Sequence, residues 1–156
     1  MQFNCQEELG GVAELNFYLL TEVSNWPLVI TDQNSSQIIL NQEPVSVEAT
    51  LVPDSIVALV NSKKGPEGEV FEINIKLAFI TRSEALEQLL DQYKNKPGVV
   101  LLKLNNEFQK LYGTDSQPLF MNYEVNDGSK IDGDSATELV IKGITRQRPV
   151  YYTKVI

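Results

Sequence analysis

The sequence contains no histidine. That removes the commonest general base, the Ser-His and Cys-His nucleophile pairs and most transition-metal sites. Cysteine is nearly absent too. Cys5 stands alone, so no internal disulfide can form, and a spare thiol suits a reducing compartment better than a nucleophile without a partner base. Positive charge is scarce: 13 Lys and Arg face 21 Asp and Glu, for a net charge of -8. Such a chain is not built to grip a nucleic-acid backbone or an anionic membrane surface. No apolar run approaches the roughly 18 residues that cross a bilayer. The opening MQFNCQEELGG lacks the basic-then-apolar layout of a signal peptide. A protein without a membrane anchor, made and first used in the cytoplasm, is the expectation.

What is present suffices for one domain. The chain has 156 residues, 42% of them hydrophobic. Residues 1–9 are polar and without period, which reads as an N-terminal arm. In GGVAELNFYLL, Ala13, Leu15, Phe17 and Leu19 fall on one side of a strand and face a core. TDQNSSQ has the chemistry of a turn. Val45, Val47, Ala49 and Leu51 share a face, interrupted at Pro53. NSKKGPEGE, residues 61–69, reads as a hairpin tip or a mobile loop. The clearest strand follows, with Phe71, Ile73, Ile75, Leu77 and Phe79 alternating with polar neighbours.

The period then changes. Thr81 and Glu84 have capping-box spacing, and Ala85, Leu86, Leu89, Leu90 and Tyr93 recur at threes and fours. A single helix over about residues 82–95 is expected, ended by Pro97-Gly98. Strand signals resume at Val99–Leu104. They continue over 107–112 through Phe108 and Leu111 or Tyr112, over 118–125 through Phe120 and Tyr123, and over 137–145 through Leu139, Ile141 and Ile144. The fold class is mainly β: a β-sandwich or partly closed barrel of about seven to nine strands with one inserted helix. The domain spans residues 10–145, and residues 146–156 form an extended tail.

Few residues suggest chemistry. Asp127, Asp132 and Asp134, with Glu138 nearby, could offer hard oxygen ligands to calcium. The spacing does not match the EF-hand pattern, and Asp with Gly is ordinary turn chemistry, so no metal and no cofactor are expected. Glu72, Glu84 and Glu87 fall on wet faces with nothing to raise their pKa, which leaves a carboxylate hydrolase without a site and a non-enzyme as the expectation. Lys63, Lys64, Glu67 and Glu69 make either an interaction tip or a loop kept soluble by charge. Arg146, Arg148, Tyr151 and Tyr152, with Lys154, make a basic, aromatic end. Single-stranded nucleic acid would suit those residue types, but the net charge favours a neighbouring acidic subunit.

The order of elements resembles that of the tail-tube-like proteins of bacteriophages and contractile injection machines. The resemblance runs from about Gly10 to Tyr152. It rests on a GG opening into a first strand, a long hairpin whose second arm is FEINIKLAF, a helix ending near Lys96-Pro97, LNNEFQKLYGTDSQPLFMNYEV, a glycine-and-aspartate loop, and ELVIKGITRQRPVYY. It implies a virion structural protein, made in a host bacterial cytoplasm. Its partners would be copies of itself in a six-fold ring and neighbouring tail or virion proteins, with DNA passing through unbound. Lys63, Lys64, Glu67, Glu69, Arg146, Arg148, Tyr151 and Tyr152 are then the expected subunit-interface residues. The alternative is a monomeric β-sandwich binding module for a protein or carbohydrate, with Trp26 and Tyr112 as its first candidate contacts.

Overall fold

Four consecutive aliphatic residues, Val99 to Leu102, are all shielded from solvent in the computed structural model, which describes residues 1–4, 12–40, 56–66, 68–80, 84–104, 108–125 and 137–152. Side chains alternate sides along a strand, so a run of this kind is buried only where both faces of its sheet are covered.

The described elements are β1 (Gln2–Asn4), β2 (Val12–Leu19), β3 (Val23–Ser24), β4 (Ile39–Leu40), β5 (Val57–Gly65), β6 (Gly68–Phe79), α1 (Glu84–Tyr93), β7 (Pro97–Leu104), β8 (Gln109–Tyr112), β9 (Leu119–Val125), β10 (Thr137–Thr145) and β11 (Val150–Tyr151). Nine strands form one antiparallel sheet, ordered β1-β2-β7-β9-β10-β6-β5. One edge of β7 lies along β2 and the other is shared. Pro97 and Gly98 pair with β9, while Val100 to Lys103 pair with β8, which in turn carries β11. β3 and β4 form a separate two-stranded unit. The fold is mainly β with one helix, and the sheet does not close into a full barrel. It curls far enough for Phe3 of β1 to stack on Phe79 of β6.

The curl encloses the larger core. Leu15 and Phe17 of β2, Ile73, Ile75, Leu77 and Phe79 of β6, Val100 and Leu102 of β7, and Leu139 and Ile141 of β10 all point into it. α1 covers this side with Leu86, Leu90 and Tyr93. A second core lies on the other face of β2, β7 and β8. There Tyr18, Val99, Leu101 and Leu111 meet Val23, Ile30 and Ile38 from residues 20–40, together with Val150 and Tyr152.

Several expectations change. Residues 1–4 are not a free arm: Phe3 pairs with Leu15, and Met1 and Phe3 are buried in the larger core. Two large apolar side chains outweigh the polar residues among them. Tyr18 and Asn16 are buried as well as Leu15 and Phe17, because the second layer covers what would otherwise be the wet side of β2. Phe120 and Ile144 point outward, 45% and 58% exposed, since Leu119 and Met121, and Leu139 and Ile141, take the inward register. Phe108 is also exposed. In residues 61–69 the ladder continues to the pair Gly65–Gly68, so of the two readings of that segment the hairpin tip is the one seen, with strand running almost to its end.

The helix ends before Pro97-Gly98. The Asn95 amide leaves the helical pattern to donate to Met121 O, and Asn95 adopts the left-handed conformation at φ 58°, which asparagine tolerates better than most residues. Pro97 and Gly98 already belong to β7. The expectations at Val45–Pro53, the Thr81 cap, and Asp127, Asp132 and Asp134 lie outside the described residues.

Candidate assembly surfaces

The hairpin of β5 and β6 extends past the cores. Its ladder runs from Val57–Lys76 to Gly65–Gly68, with Pro66 and Glu67 between the closing pair. Gly68 has φ 115°, a conformation that glycine takes at no steric cost. Near its base, Ile56 and Ala58 pack against the larger core. From Leu59 to Pro66 every residue is exposed. Lys63 Nζ lies 2.9 Å from Glu72 Oε1, an exposed pair that contributes little. The Ser62 hydroxyl donates to the Glu69 carboxylate. Val57, Leu59 and Val60 are 43%, 53% and 38% exposed, and among the described residues no strand pairs with the outer edge of β5.

The C-terminal segment is held by a turn. Thr31 and Asn34 cap each other: the Thr31 amide donates to Asn34 Oδ1 at 2.7 Å and the Asn34 amide to Thr31 Oγ1 at 3.2 Å. This presents Asp32, which accepts from the Tyr151 amide at 3.0 Å and from Arg148 Nη2 at 2.7 Å. Those two donors, the amide first, hold the Asp32 carboxyl below its usual range. Ser35 Oγ donates to Tyr151 O at 2.6 Å, and the Tyr152 hydroxyl donates to Ile38 O at 3.1 Å. Beside this clasp is an open groove of about 470 Å³, lined by Ile30, Asp32, Phe71, Gln147, Arg148 and Val150. Tyr151 meets Phe108 edge-on at 6.0 Å and carries Lys110 Nζ 5.1 Å from its ring centre.

Other perturbed groups are scattered. Burial pushes the Met1 α-amine down to about 6, against an opposing pull from Glu22. Burial, then Glu14, raises Tyr18 to about 12. The hydrogen bond to Asp91 raises Tyr123 to about 12, and the Lys94 ammonium lies over the same ring. These contacts fasten α1 to β9. Asn16 and Asn74 each have a shielded Oδ1 without a hydrogen-bond partner. Among the described residues no group of three or more His, Cys, Asp or Glu could hold a metal ion, and no helix is long and apolar enough to cross a membrane.

The expected interface residues therefore divide. Lys63, Lys64 and Glu69 sit on the exposed hairpin, and Glu67 lies outside the described residues. Arg148 and Tyr151 join the clasp, and the Arg146 amide donates to Gln117 Oε1 at 2.7 Å. Tyr152 is buried in its own chain and is not available to a neighbour. Tyr112 is likewise buried, in the larger core, while Trp26 is partly buried where it packs against the second core. Sequence reading missed Asp32, whose only signal was a turn-forming segment. It also missed the outward set of Phe120 and Ile144, which the register of β9 and β10 reveals. No family model, no curated protein and no solved structure matches the chain.

Proposed function

We propose that this protein is a virion structural protein, a tail-tube subunit or related tail component whose copies join into rings around a DNA conduit. One observation carries the reading: β5 is nine residues long, ends the sheet, and presents an outer edge that no described strand covers. An edge of this length with exposed Val57, Leu59 and Val60 is a liability in a lone soluble protein, since it templates pairing with another chain. In a ring the same edge is used, because each subunit extends its neighbour's sheet and closure leaves no edge over. The charge of -8 per copy fits a passage that must not hold phosphates.

Negative-stain microscopy of the purified protein tests this. Rings or tubes with a central hole are expected. Val60→Lys combined with Ser62→Lys places charge along the edge and should abolish them. A wild-type protein that stays monomeric at high concentration overturns the proposal. The groove beside Arg148 supports the second reading, a monomeric binding module, and that outcome would favour it.

A further inference from the structure

The second core covers only the β2, β7 and β8 part of the sheet's outer side. The rest of that side, formed by β9, β10, β6 and β5, is bare among the described residues. Pairing places Leu59, Asn74, Lys142 and Phe120 in one row across four strands, with Val57, Lys76, Val140 and Asn122 in the next. Ile144 and Glu72 follow on the opposite flank. Side chains of paired residues share a face, so this face carries two apolar patches, Val57 with Leu59 on β5 and Phe120 with Ile144 on β9 and β10, each residue 43% or more exposed, with Asn74, Lys76 and Lys142 between them.

The charges on this face are unlike those of the chain. Lys63, Lys76 and Lys142 balance Glu72, Glu124 and Glu138. The face is thus formally neutral, while the chain carries -8, so the whole acidic excess lies elsewhere. Two copies of such a chain repel each other over most approaches. Here they do not, and the apolar side chains supply the attraction. Glu124 and Glu138 are direct cross-strand neighbours, a like-charge pair that gains from cations on an opposing surface. Lys76 and Lys142 of a second copy are such cations.

We propose that this face packs against the same face of a second copy of the chain, sheet on sheet, with Phe120 and Ile144 buried at the contact. A self-complementary contact of this kind is two-fold and closed. It is distinct from strand pairing at the β5 edge and does not depend on the tube reading.

Sedimentation velocity on the full chain, with Phe120→Glu combined with Ile144→Glu, separates the two contacts. Both side chains are half-exposed in the single copy, so the circular-dichroism spectrum and melting temperature should hold. The dissociation constant of the two-fold contact should rise at least about thirtyfold. Association that the double variant leaves unchanged, or that only Val60→Lys with Ser62→Lys disrupts, overturns the face contact and leaves the edge contact standing. Loss in the face variant alone supports the face contact and counts against edge-paired rings. A wild type that is monomeric at every concentration, whether bare or with this face held by a different protein, overturns it as well.

Discussion

Phe3, on the first strand of the sheet, stacks on Phe79, on the sixth, with ring centroids 5.9 Å apart and planes 24° apart. Among the described residues no hydrogen-bonded ladder joins β1 to β6; this ring contact and the shared core bring the two strands of the curled sheet together. Phe3→Ala removes both the stack and a fully buried side chain. A loss of about 3–5 kcal/mol in urea unfolding is expected, and Phe3→Leu should lose much less. If the alanine variant is as stable as wild type, residues 1–4 are the arm that the polar composition suggested.

The buried Met1 amine makes stability depend on pH near neutrality. It donates to Phe17 O at 2.9 Å, and its pKa falls from 8.0 to about 6. Between those values the unfolded chain binds the proton more tightly than the folded one. Stability therefore rises as pH goes from 6 to 8 and levels off above, by at most about 2–3 kcal/mol. Urea titrations across pH 6 to 9 at fixed salt read this directly, and a flat profile contradicts it.

Gly98 is a site of close approach. A Cβ there would meet Phe17 Cζ and Tyr18 O at 2.5 Å, within the β2–β7 pairing. Backbone cannot yield as a side chain can. Gly98→Ala is expected to destabilise by about 1–3 kcal/mol, as a lowered midpoint in chemical unfolding.

Asp32→Asn should loosen the C-terminal clasp without touching the cores. Amide hydrogen exchange at Tyr151 is expected to accelerate, and Arg148→Gln should produce a smaller change, because it leaves in place the carboxylate that accepts from the Tyr151 amide. The folded pKa is depressed, so the clasp holds at neutral pH and weakens as pH falls below the ordinary value of 3.8. Unchanged exchange at Tyr151 in Asp32→Asn would sink this account.

Periodicity made the large elements readable. Ile73 to Phe79 alternate as strictly as any half-buried strand, and Leu86, Leu90 and Tyr93 mark one helical face, so β6 and α1 emerged from spacing alone. Positions on β9 and β10 were harder. Leu119, Phe120 and Met121 are consecutive and apolar, and only the pairing of β9 with β10 decides which of them faces the core. The double burial of β2 was hidden because Asn16 and Tyr18 are residue types that also suit a wet face. The clasp was hidden for a different reason: Asp32 and Arg148 are 116 residues apart, and no local pattern records a contact of that range.

β2 finds its partner late. On one side it has only the short β1; its register with β7 runs from Leu19–Gly98 to Val12–Leu104, so the first long strand leaves the ribosome well before its longer partner. Leu15 and Phe17 must wait, unsheltered, through the synthesis of β5, β6 and α1 before β7 arrives between them and β9. Chains that close such long loops fold slowly and expose sticky surface meanwhile. A cell making many copies at once would therefore have reason to keep each newborn chain apart from its siblings until residue 104 has emerged.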